Sequence, residues 1–253
     1  MKTAIITGAS TGLGLEFVRQ LCDNYPEIES LWVIARRRER LETAVSGLAA
    51  RLDINILPLD LCSEDSFAAL EAELRSKKPD VRLLVNNAGC GYLGSLGELD
   101  TDKQTRMVDL NIRALTAVTN TVIPYMSRGA RIINVSSIAS FCPNPRMTVY
   151  SAGKAYVSAF SRGISDELKP KGVGVTVVCP GPMDTEFISL GGIKGNSKTF
   201  DILPYCDPEK VVRGTYSAAK RGKFNYTPKA FYKFFRIVAK ILPQGLVIKM
   251  TRT

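Results

Sequence analysis

The chain has 253 residues, 45% of them hydrophobic, and a formal net charge of +10. This length and composition predict one globular domain, residues 1–253, with a sizeable core. Histidine is absent, which excludes Ser-His-Asp hydrolases and His-ligated metal enzymes. We expect no metal site, no secretion signal and no membrane-spanning segment, and the six scattered cysteines indicate a reducing, cytoplasmic location.

The positive charge is concentrated in two places. Residues 228–253 contain six lysines and arginines and no acid, and four arginines fall within residues 36–40. No zinc-finger, RNA-recognition or helix-turn-helix pattern accompanies either run, so we expect no nucleic-acid partner.

Short apolar segments alternate with amphipathic stretches along most of the chain. The predicted strands are 4–7, 31–35, 54–60, 82–89, 130–137, 173–181 and a short one at 224–226. The predicted helices are one reaching residue 24, then 37–52, 63–77, 101–127, 148–169 and 208–221, and a last one with Thr227 as N-cap and Pro228 as first helical residue. This alternation predicts an α/β fold, a Rossmann-type doubly wound parallel sheet of about seven strands with helices on both faces.

Residues 186–201 interrupt this alternation. They contain three glycines and no clear period. We predict a mobile substrate loop that closes over a bound ligand, with Phe187, Ile188 and Leu190 facing the ligand and Lys194 and Lys198 facing solvent.

The first strand is followed by a glycine-rich turn, TGASTGLG. Its G-x-x-x-G-x-G spacing differs from the common G-x-G-x-x-G fingerprint, but the physical effect is the same. Glycines allow a tight turn and let the helix N-terminus approach a pyrophosphate. We therefore predict a dinucleotide site formed by Gly8, Ser10, Thr11, Gly12, Leu13 and Gly14.

Arg36 and Arg37 follow the second strand. NAD-dependent enzymes usually place an acid there to bind the ribose 2′-OH, and an acid would repel a 2′-phosphate. Guanidinium groups bind a phosphate bidentately, whereas cations are disfavoured at a helix N-terminus. These two arginines therefore predict NADP(H) rather than NAD(H) as cofactor; the alternative is a solvated helix start.

Tyr150 and Lys154 lie at i and i+4 on one predicted helix, with Ser137 thirteen residues before the tyrosine. The two side chains share a helix face, and a nearby ammonium favours the phenolate of a tyrosine. In a chain without histidine, this pair is one of the few acid/base devices available. The Y-x-x-x-K spacing alone is a weak signal, and the upstream cofactor motif strengthens it.

With these motifs in this order, the sequence resembles the short-chain dehydrogenase/reductase family over residues 1 to about 190. The resemblance rests on TGASTGLG, LDL, NNAG (86–89), LNIRAL, INVSS, YSAGK and PGPMDT (180–185). It implies Asn111, Ser137, Tyr150 and Lys154 as catalytic residues. It adds to the cofactor site Asp60, Leu61, Asn87, Ala88, Gly89, Tyr150, Lys154, Pro180, Gly181, Met183 and Thr185. One departure is Gly153, where many members carry Ser or Thr.

The resemblance also implies a mechanism and an assembly. Hydride passes between the nicotinamide and a carbonyl carbon, while Tyr150 exchanges a proton with the substrate oxygen and Ser137 hydrogen-bonds it. Lys154 holds the nicotinamide ribose and lowers the pKa of Tyr150, and Asn111 anchors a water. Helices 101–127 and 148–169 resemble the bundle that forms a homodimer, which can assemble further into a homotetramer.

The side chains expected to border the substrate are apolar, without a charge cluster. They are Leu93, Leu96, Phe141, Pro143, Met147, Met183, Phe187 and Ile188. We therefore predict a lipophilic ketone or secondary alcohol as substrate. Resemblance suggests a hydroxysteroid, including bile acids, or a 3-oxoacyl thioester; the alternatives are a non-catalytic nucleotide sensor and a peripheral membrane protein.

The last predicted helix, within residues 228–253, is amphipathic. Its apolar side carries Phe231, Phe235, Val238 and Leu242, and its basic side carries Lys229, Lys233, Arg236 and Lys240. We expect the apolar side to pack on the domain or on a second subunit; contact with a membrane surface is the alternative.

Overall fold

A computed structural model describes residues 1–193 and 195–251, apart from the side chains of residues 198 and 250. Seven strands form one sheet in the order β3-β2-β1-β4-β5-β6-β7, and all neighbours are parallel. The strands are β1 (Lys2–Thr7), β2 (Ser30–Ile34), β3 (Asp53–Leu57), β4 (Asp80–Asn86), β5 (Met126–Val135), β6 (Gly174–Val178) and β7 (Asn225–Tyr226). The predicted Rossmann-type sheet is therefore confirmed.

Helices connect the strands and cover both faces of the sheet. They are α1 (Gly12–Arg19), α2 (Leu21–Asn24), α3 (Arg38–Val45), α4 (Glu64–Lys77), α5 (Thr101–Val108), α6 (Ala114–Val122), α7 (Thr148–Glu167), α8 (Glu186–Leu190), α9 (Lys198–Ile202), α10 (Pro208–Lys220), α11 (Ala230–Ile241) and α12 (Gln244–Thr251). Within the described part of the chain, none of them combines the length and hydropathy needed to cross a bilayer.

The strands are apolar on both sides because both sides are covered. All five residues of β2 are buried. In β1, Ala4 and Ile6 belong to a core with residues of α1, α3 and α10. Ile5, between them, belongs to a second core with residues of α4, α6 and α7. The strand order reverses between β1 and β4, so a crevice opens beyond their carboxyl ends.

Buried amides tie the two central strands to the helices above them. Asn86 Nδ2 at the end of β4 donates to Asn134 Oδ1 of β5 and to Thr119 Oγ1 of α6, at 2.8 and 2.9 Å. Asn134 Nδ2 in turn donates to Ser161 Oγ of α7, at 2.9 Å. Buried amides without partners would be destabilising, so this chain fixes how α6 and α7 lie on the sheet.

Two predicted helices differ in extent from those observed. The helix predicted at 37–52 ends at Val45. The helix predicted at 101–127 is divided into α5, a π-helical turn over Asp109–Arg113, α6 and a 3-10 turn over Ile123–Tyr125. β5 then begins at Met126, four residues earlier than predicted.

Two predictions in the last third of the chain are wrong. Residues 186–201 are not one irregular loop, because they contain α8 and most of α9; their closure over a bound ligand stays a prediction, and Lys194 and the side chain of Lys198 lie outside the described residues. The helix predicted to start with Thr227 as N-cap is α11, which begins at Ala230 with Lys229 as N-cap. The Thr227 hydroxyl is buried and donates to Asn225 Oδ1 instead of capping a helix.

The glycine-rich turn lets α1 pack directly against the end of β1. Gly8 has φ +65°, in the left-handed region that favours glycine. A Cβ on Gly14, in the first turn of α1, would lie 2.0 Å from the carbonyl oxygen of Gly8. Gly14 is therefore required by the contact between helix and turn.

We predict that Gly14→Ala lowers the free energy of unfolding by about 1–3 kcal/mol or more, because the added methyl overlaps backbone that cannot easily move. Gly47→Ala is the matched control, since a Cβ there would meet no heavy atom within 4 Å. We expect the control to be unchanged or slightly stabilised. Urea denaturation of both variants measures the difference; equal losses would contradict the prediction.

Candidate active site

A cleft of ≈ 530 Å³ opens at the carboxyl ends of the strands. Nearly all residues that the sequence predicted for the site line it, from seven separate segments of the chain. These are Gly8, Ser10, Thr11, Gly12, Leu13, Arg36, Arg37, Asp60, Leu61, Asn87, Ala88, Gly89, Ser137, Tyr150, Lys154, Pro180, Gly181, Met183 and Thr185. Gly14 and Asn111 do not line the cleft, and both lie behind it.

One end of the cleft is suited to a pyrophosphate. The N-terminus of α1 points into it, and the first turn of α1 has neither a side-chain cap nor an acid. Its unpaired N–H groups and helix dipole favour an anion there. Thr7 Oγ1 accepts hydrogen bonds from the N–H groups of Asn87 and Ala88, at 3.0 and 3.1 Å, and so fixes the NNAG turn beside this helix.

Arg36 and Arg37 line the cleft next to the end of β2. Arg37 faces the carboxylate of Glu186, the first residue of α8, at 3.7 Å. Arg40 Nη1 donates to both oxygens of the same carboxylate, at 2.8 and 2.9 Å. These groups are half-exposed, so their attraction is screened by solvent and worth little. A phosphate in this part of the cleft would share Arg37 with Glu186.

Asp60 lies beside the arginines as an ionised acceptor. Partial burial opposes its ionisation, but the N–H of Cys62 and the guanidinium of Arg106 outweigh burial and lower the pKa of Asp60. Asp60 Oδ1 accepts from Cys62 N at 3.1 Å, and Oδ2 lies 3.4 Å from Arg106 Nη2. The carboxylate is thus held in place for hydrogen bonding at the cleft surface.

The two serines at the end of β5 have different surroundings. Ser136 Oγ donates to the backbone carbonyl of Lys154 at 2.8 Å, so its proton is already used within the protein. Ser137 Oγ lies close enough to the Tyr150 side chain to oppose the rise in pKa that burial of that phenol causes. It also accepts from the N–H of Ala139 at 3.1 Å. Ser137, the serine chosen from the spacing, is therefore the one beside the tyrosine.

Tyr150 and Lys154 are both buried in the wall of the cleft. Burial raises the pKa of Tyr150 to about 12, and the nearby Ser137 side chain opposes this less strongly. Burial lowers the pKa of Lys154 to about 8. The Lys154 ammonium donates to Val135 O at 2.9 Å and lies 5.7 Å from the tyrosine ring centroid.

The expectation that Lys154 lowers the pKa of Tyr150 is corrected by this geometry. Desolvation of the phenolate exceeds the other influences, because the hydroxyl is enclosed and the ammonium is directed at a backbone carbonyl. Tyr150 consequently remains a neutral acid at neutral pH. This protonation state is the one required for proton donation.

Asn111 lies in the π-helical turn between α5 and α6 and is buried. Its Oδ1 accepts from Cys90 N at 2.9 Å, and its Nδ2 donates to Cys90 O at 2.8 Å. Both ends of the amide are therefore occupied by the backbone that follows the NNAG turn. Single π-helical turns often occur at functional sites because they shift a side chain out of regular register.

The substrate end of the cleft is apolar, but only four of the eight side chains predicted to border the substrate line it. Met147, Met183, Phe187 and Ile188 line it. Leu93, Leu96, Phe141 and Pro143 do not. Phe187 packs on the ring of Tyr150, with centroids 5.6 Å apart.

Leu190, which was predicted to face the ligand, also lines the cleft. The rest of this wall comes from residues that the sequence analysis did not place there. They are Ile138, Ala139, Cys142, Phe200, Ile202, Leu203, Phe231, Tyr232 and Phe235. Five of these nine belong to α9 and α11. The aromatic spacing of α11 was the available signal, but it does not reveal what the helix contacts.

The packing side of α11 also differs from the prediction. Tyr232, which was on neither predicted side, is fully buried and donates to Pro204 O at 2.9 Å. Phe235 packs on Phe141, with ring centroids 6.1 Å apart. Phe231 is exposed, although it was predicted to pack.

No group of three or more acidic or cysteine side chains suited to a metal ion occurs in residues 1–193 and 195–251. The cleft instead offers a helix N-terminus, arginines and a buried Ser–Tyr–Lys set beside an apolar wall. These residues fit a dinucleotide along the strand ends and an uncharged substrate against the tyrosine.

Comparison with known proteins gives a consistent picture. A family model described as short chain dehydrogenase matches residues 2–190. Sulfoacetaldehyde reductase 2 of Chromohalobacter salexigens is 35% identical over 194 residues, 74% of this chain and 76% of that protein. Very-long-chain 3-oxoacyl-CoA reductase-B of Danio rerio is 29% identical over 259 aligned positions, 98% of this chain and 78% of that protein.

Solved structures are similar over nearly the whole chain. A short-chain dehydrogenase from Sphingobium yanoikuyae in complex with NADPH has a TM-score of 0.81 and 26% identity, covering 98% of this chain and 95% of that one. The bulky-bulky ketone specific alcohol dehydrogenase from Comamonas testosteroni has a TM-score of 0.76 and 26% identity, with 98% and 94% covered. A Burkholderia phymatum protein in complex with NAD, at 20% identity and TM-score 0.81 over 100% and 95%, shows the fold alone.

Proposed function

The chain belongs to the short-chain dehydrogenase family, and we propose that it is an NADP(H)-dependent oxidoreductase that interconverts a lipophilic ketone and its secondary alcohol. The observation that carries this proposal is the position of Tyr150. Its side chain lies beside Ser137 and one helical turn from Lys154, where the dinucleotide part of the cleft meets the apolar wall. A carbonyl held there would face a proton donor and a hydrogen-bonding hydroxyl together.

In the reducing direction, Tyr150 donates its proton to the developing alkoxide, and the Ser137 hydroxyl hydrogen-bonds the same oxygen. The bound nicotinamide supplies the hydride. Burial keeps Tyr150 protonated, with a pKa of about 12, so the donor form is fully populated at neutral pH. Enclosure by Phe187 excludes water from this proton transfer.

Lys154 and Asn111 support this pair in different ways. The Lys154 ammonium is fixed by Val135 O, which places it to hold the nicotinamide ribose. Asn111 binds both backbone groups of Cys90, and its Oδ1 and Lys154 Nζ converge on Gly89. We assign Asn111 to positioning this turn. As a further role, we assign it the anchoring of a water that relays protons to Lys154.

Cofactor choice follows from the charges at the end of β2. Arg36 and Arg37 line the cleft there. The carboxylate of Glu186 lies near Arg37, but Glu186 belongs to α8 and does not occupy the position directly after β2 where NAD-dependent enzymes usually place an acid. A ribose 2′-phosphate would gain both guanidinium groups, whereas a 2′-hydroxyl would find no carboxylate at that position. The similar Sphingobium yanoikuyae protein was solved with NADPH, which supports this choice.

The apolar wall favours a large uncharged substrate. Among the described side chains, the cations that line the cleft apart from Lys154 are Arg36, Arg37 and Arg106, beside Glu186 and Asp60. Among the described residues, Lys154 is the cation near Tyr150, and it is assigned to the nicotinamide ribose, so a small sulfonate such as sulfoacetaldehyde would find no further cation there. The bulky-ketone specificity and the long-chain 3-oxoacyl substrate named for two similar proteins agree with an apolar wall. A hydroxysteroid or bile acid and a 3-oxoacyl thioester are the two candidate classes.

We further propose that the protein forms a homodimer through α5, α6 and α7, the helices that resemble the family's dimer bundle. Two large apolar side chains are exposed on this surface, Val108 of α5 and Tyr156 of α7. The ring of Tyr156 stacks on Phe160, and its hydroxyl lies 2.8 Å from Thr116 Oγ1. This partly apolar surface is suited to an isologous contact.

We predict NADPH-dependent turnover of steroid ketones or 3-oxoacyl thioesters, and its loss in Tyr150→Phe. The phenylalanine keeps the ring packing on Phe187 but removes the proton donor. Absorbance of NADPH over a panel of steroid ketones, 3-oxoacyl thioesters and small ketones measures turnover, and quenching of protein fluorescence measures NADPH binding. Binding of NADPH should survive in the variant.

A variant that keeps more than about a tenth of the wild-type kcat would remove Tyr150 from the acid role. Absence of turnover on the whole panel would favour a nucleotide sensor.

We predict that NADP(H) binds at least about ten-fold more tightly than NAD(H), a difference of about 1.4 kcal/mol. Arg36→Ala/Arg37→Ala should abolish the preference by weakening NADP(H) alone. Arg38→Ala is the charge control, because Arg38 pairs with Glu42 and does not line the cleft. Titration calorimetry of all variants tests the assignment, which fails if the double variant keeps the wild-type preference.

We predict that kcat/KM for NADPH falls above about pH 8, because kcat/KM reports groups of the free enzyme. The pKa of Lys154 is lowered to about 8, so its charge is present below that pH and lost above it. Tyr150 keeps its proton over this range, with a pKa of about 12. A pH profile from 6 to about 10 at saturating ketone checks this; a constant value would show that the charge on Lys154 does not contribute.

A further inference from the structure

Helix α11 has an exposed apolar side that no element of the fold covers in residues 1–193 and 195–251. Phe231, Phe234, Ile237 and Ile241 are 53%, 67%, 57% and 74% exposed. At 3.6 residues per turn they fall within about a third of the helix circumference. The buried anchor of the helix, Tyr232, lies on a different side. We call these four side chains the α11 stripe.

The surroundings of the stripe are basic. Lys233 and Lys240 are exposed on the neighbouring side of α11, and Lys249 is exposed on α12. Residues 228–253 contain no acid. Leu246, 48% exposed, adds a further apolar side chain on α12. An apolar strip bordered by lysines is the pattern of helices that lie in the headgroup region of a bilayer.

The α11 stripe continues into the mouth of the cleft. Phe231 belongs to the stripe and also lines the cleft. Leu190 of α8 and Ile202 of α9 line the cleft as well, yet they are 70% and 81% exposed. The apolar wall beside Tyr150 and the exposed stripe are therefore parts of one surface.

We propose that this surface docks on an anionic lipid bilayer, with the cleft mouth facing the lipid. The charge pattern favours this occupant over a second copy of the chain. A two-fold contact through the stripe would bring the lysines of one copy near those of the other, with no acid in either helix to pair with them. Anionic headgroups pair with the same lysines without repulsion.

Docking would place the cleft mouth against the source of a lipophilic ligand. A ketone dissolved in the bilayer could reach Phe231 and Ile202 without entering water. This consequence rests on the proposed function. The docking itself does not, because binding to vesicles needs no turnover, so the two proposals fail separately.

The test is co-sedimentation of the full chain with vesicles of phosphatidylcholine alone and of phosphatidylcholine with phosphatidylglycerol. We expect at least about ten-fold more protein bound to the anionic vesicles, and most of that binding lost at high salt. Phe234→Ser/Ile237→Ser/Ile241→Ser should reduce binding at least about ten-fold. None of these three residues lines the cleft, so NADPH binding should be unchanged.

Charge is tested separately with a matched pair. Lys233→Gln/Lys240→Gln should weaken binding to anionic vesicles several-fold. Lys169→Gln/Lys171→Gln removes the same charge from two exposed lysines beyond the end of α7, and should leave binding unchanged. Equal losses for the two pairs would overturn the proposal, because they would show a non-specific response to net charge.

Light scattering tests whether a second copy of the chain covers the α11 stripe. The mass in solution should be the same for the wild type and for Phe234→Ser/Ile237→Ser/Ile241→Ser, because the proposed dimer uses α5, α6 and α7. A lower mass for the triple variant would show that a second copy covers the stripe, and would overturn the proposal. Absence of binding to anionic vesicles, or binding that the triple variant retains, would overturn it equally.

Discussion

The arrangement of the site depends on one buried ammonium group. Lys154 Nζ donates to the carbonyl of Val135 at the end of β5, and Ser136 Oγ donates to the carbonyl of Lys154 in return. A buried cation is strongly destabilising unless a hydrogen bond compensates it. Helix α7 must therefore lie where the end of β5 can accept this bond. The same placement puts Tyr150, one turn earlier in α7, against Ser137.

The burial that fixes these groups also separates their pKa values. Desolvation disfavours charge, so it raises the pKa of Tyr150 to about 12 and lowers that of Lys154 to about 8. Tyr150 remains protonated throughout the physiological pH range, and Lys154 loses its proton just above that range. A chain without histidine thus obtains a proton donor and a nearby group sensitive to pH from burial alone.

The sequence predicts those parts of the molecule that depend on local spacing. Tyr150 and Lys154 share a face because helix geometry requires it, and Gly14 marks a close approach at the end of β1. The π-helical turn at Asn111 is different, since it depends on the Cys90 backbone twenty-one residues away. The contribution of α9 and α11 to the substrate wall was also not predicted. The periodicity of a helix shows which of its side chains share a face, but not which part of the protein that face packs against.

Helix α11 shows this limit most clearly. It is anchored by Tyr232, whose hydroxyl reaches Pro204 O, and it contributes Phe235 to the cleft. That role requires nothing apolar at positions 234, 237 and 241, because those side chains are not buried. Polar residues there would keep the same packing and avoid contact between apolar surface and water. The apolar residues at these positions are therefore explained by a contact outside the fold rather than by the stability of the fold.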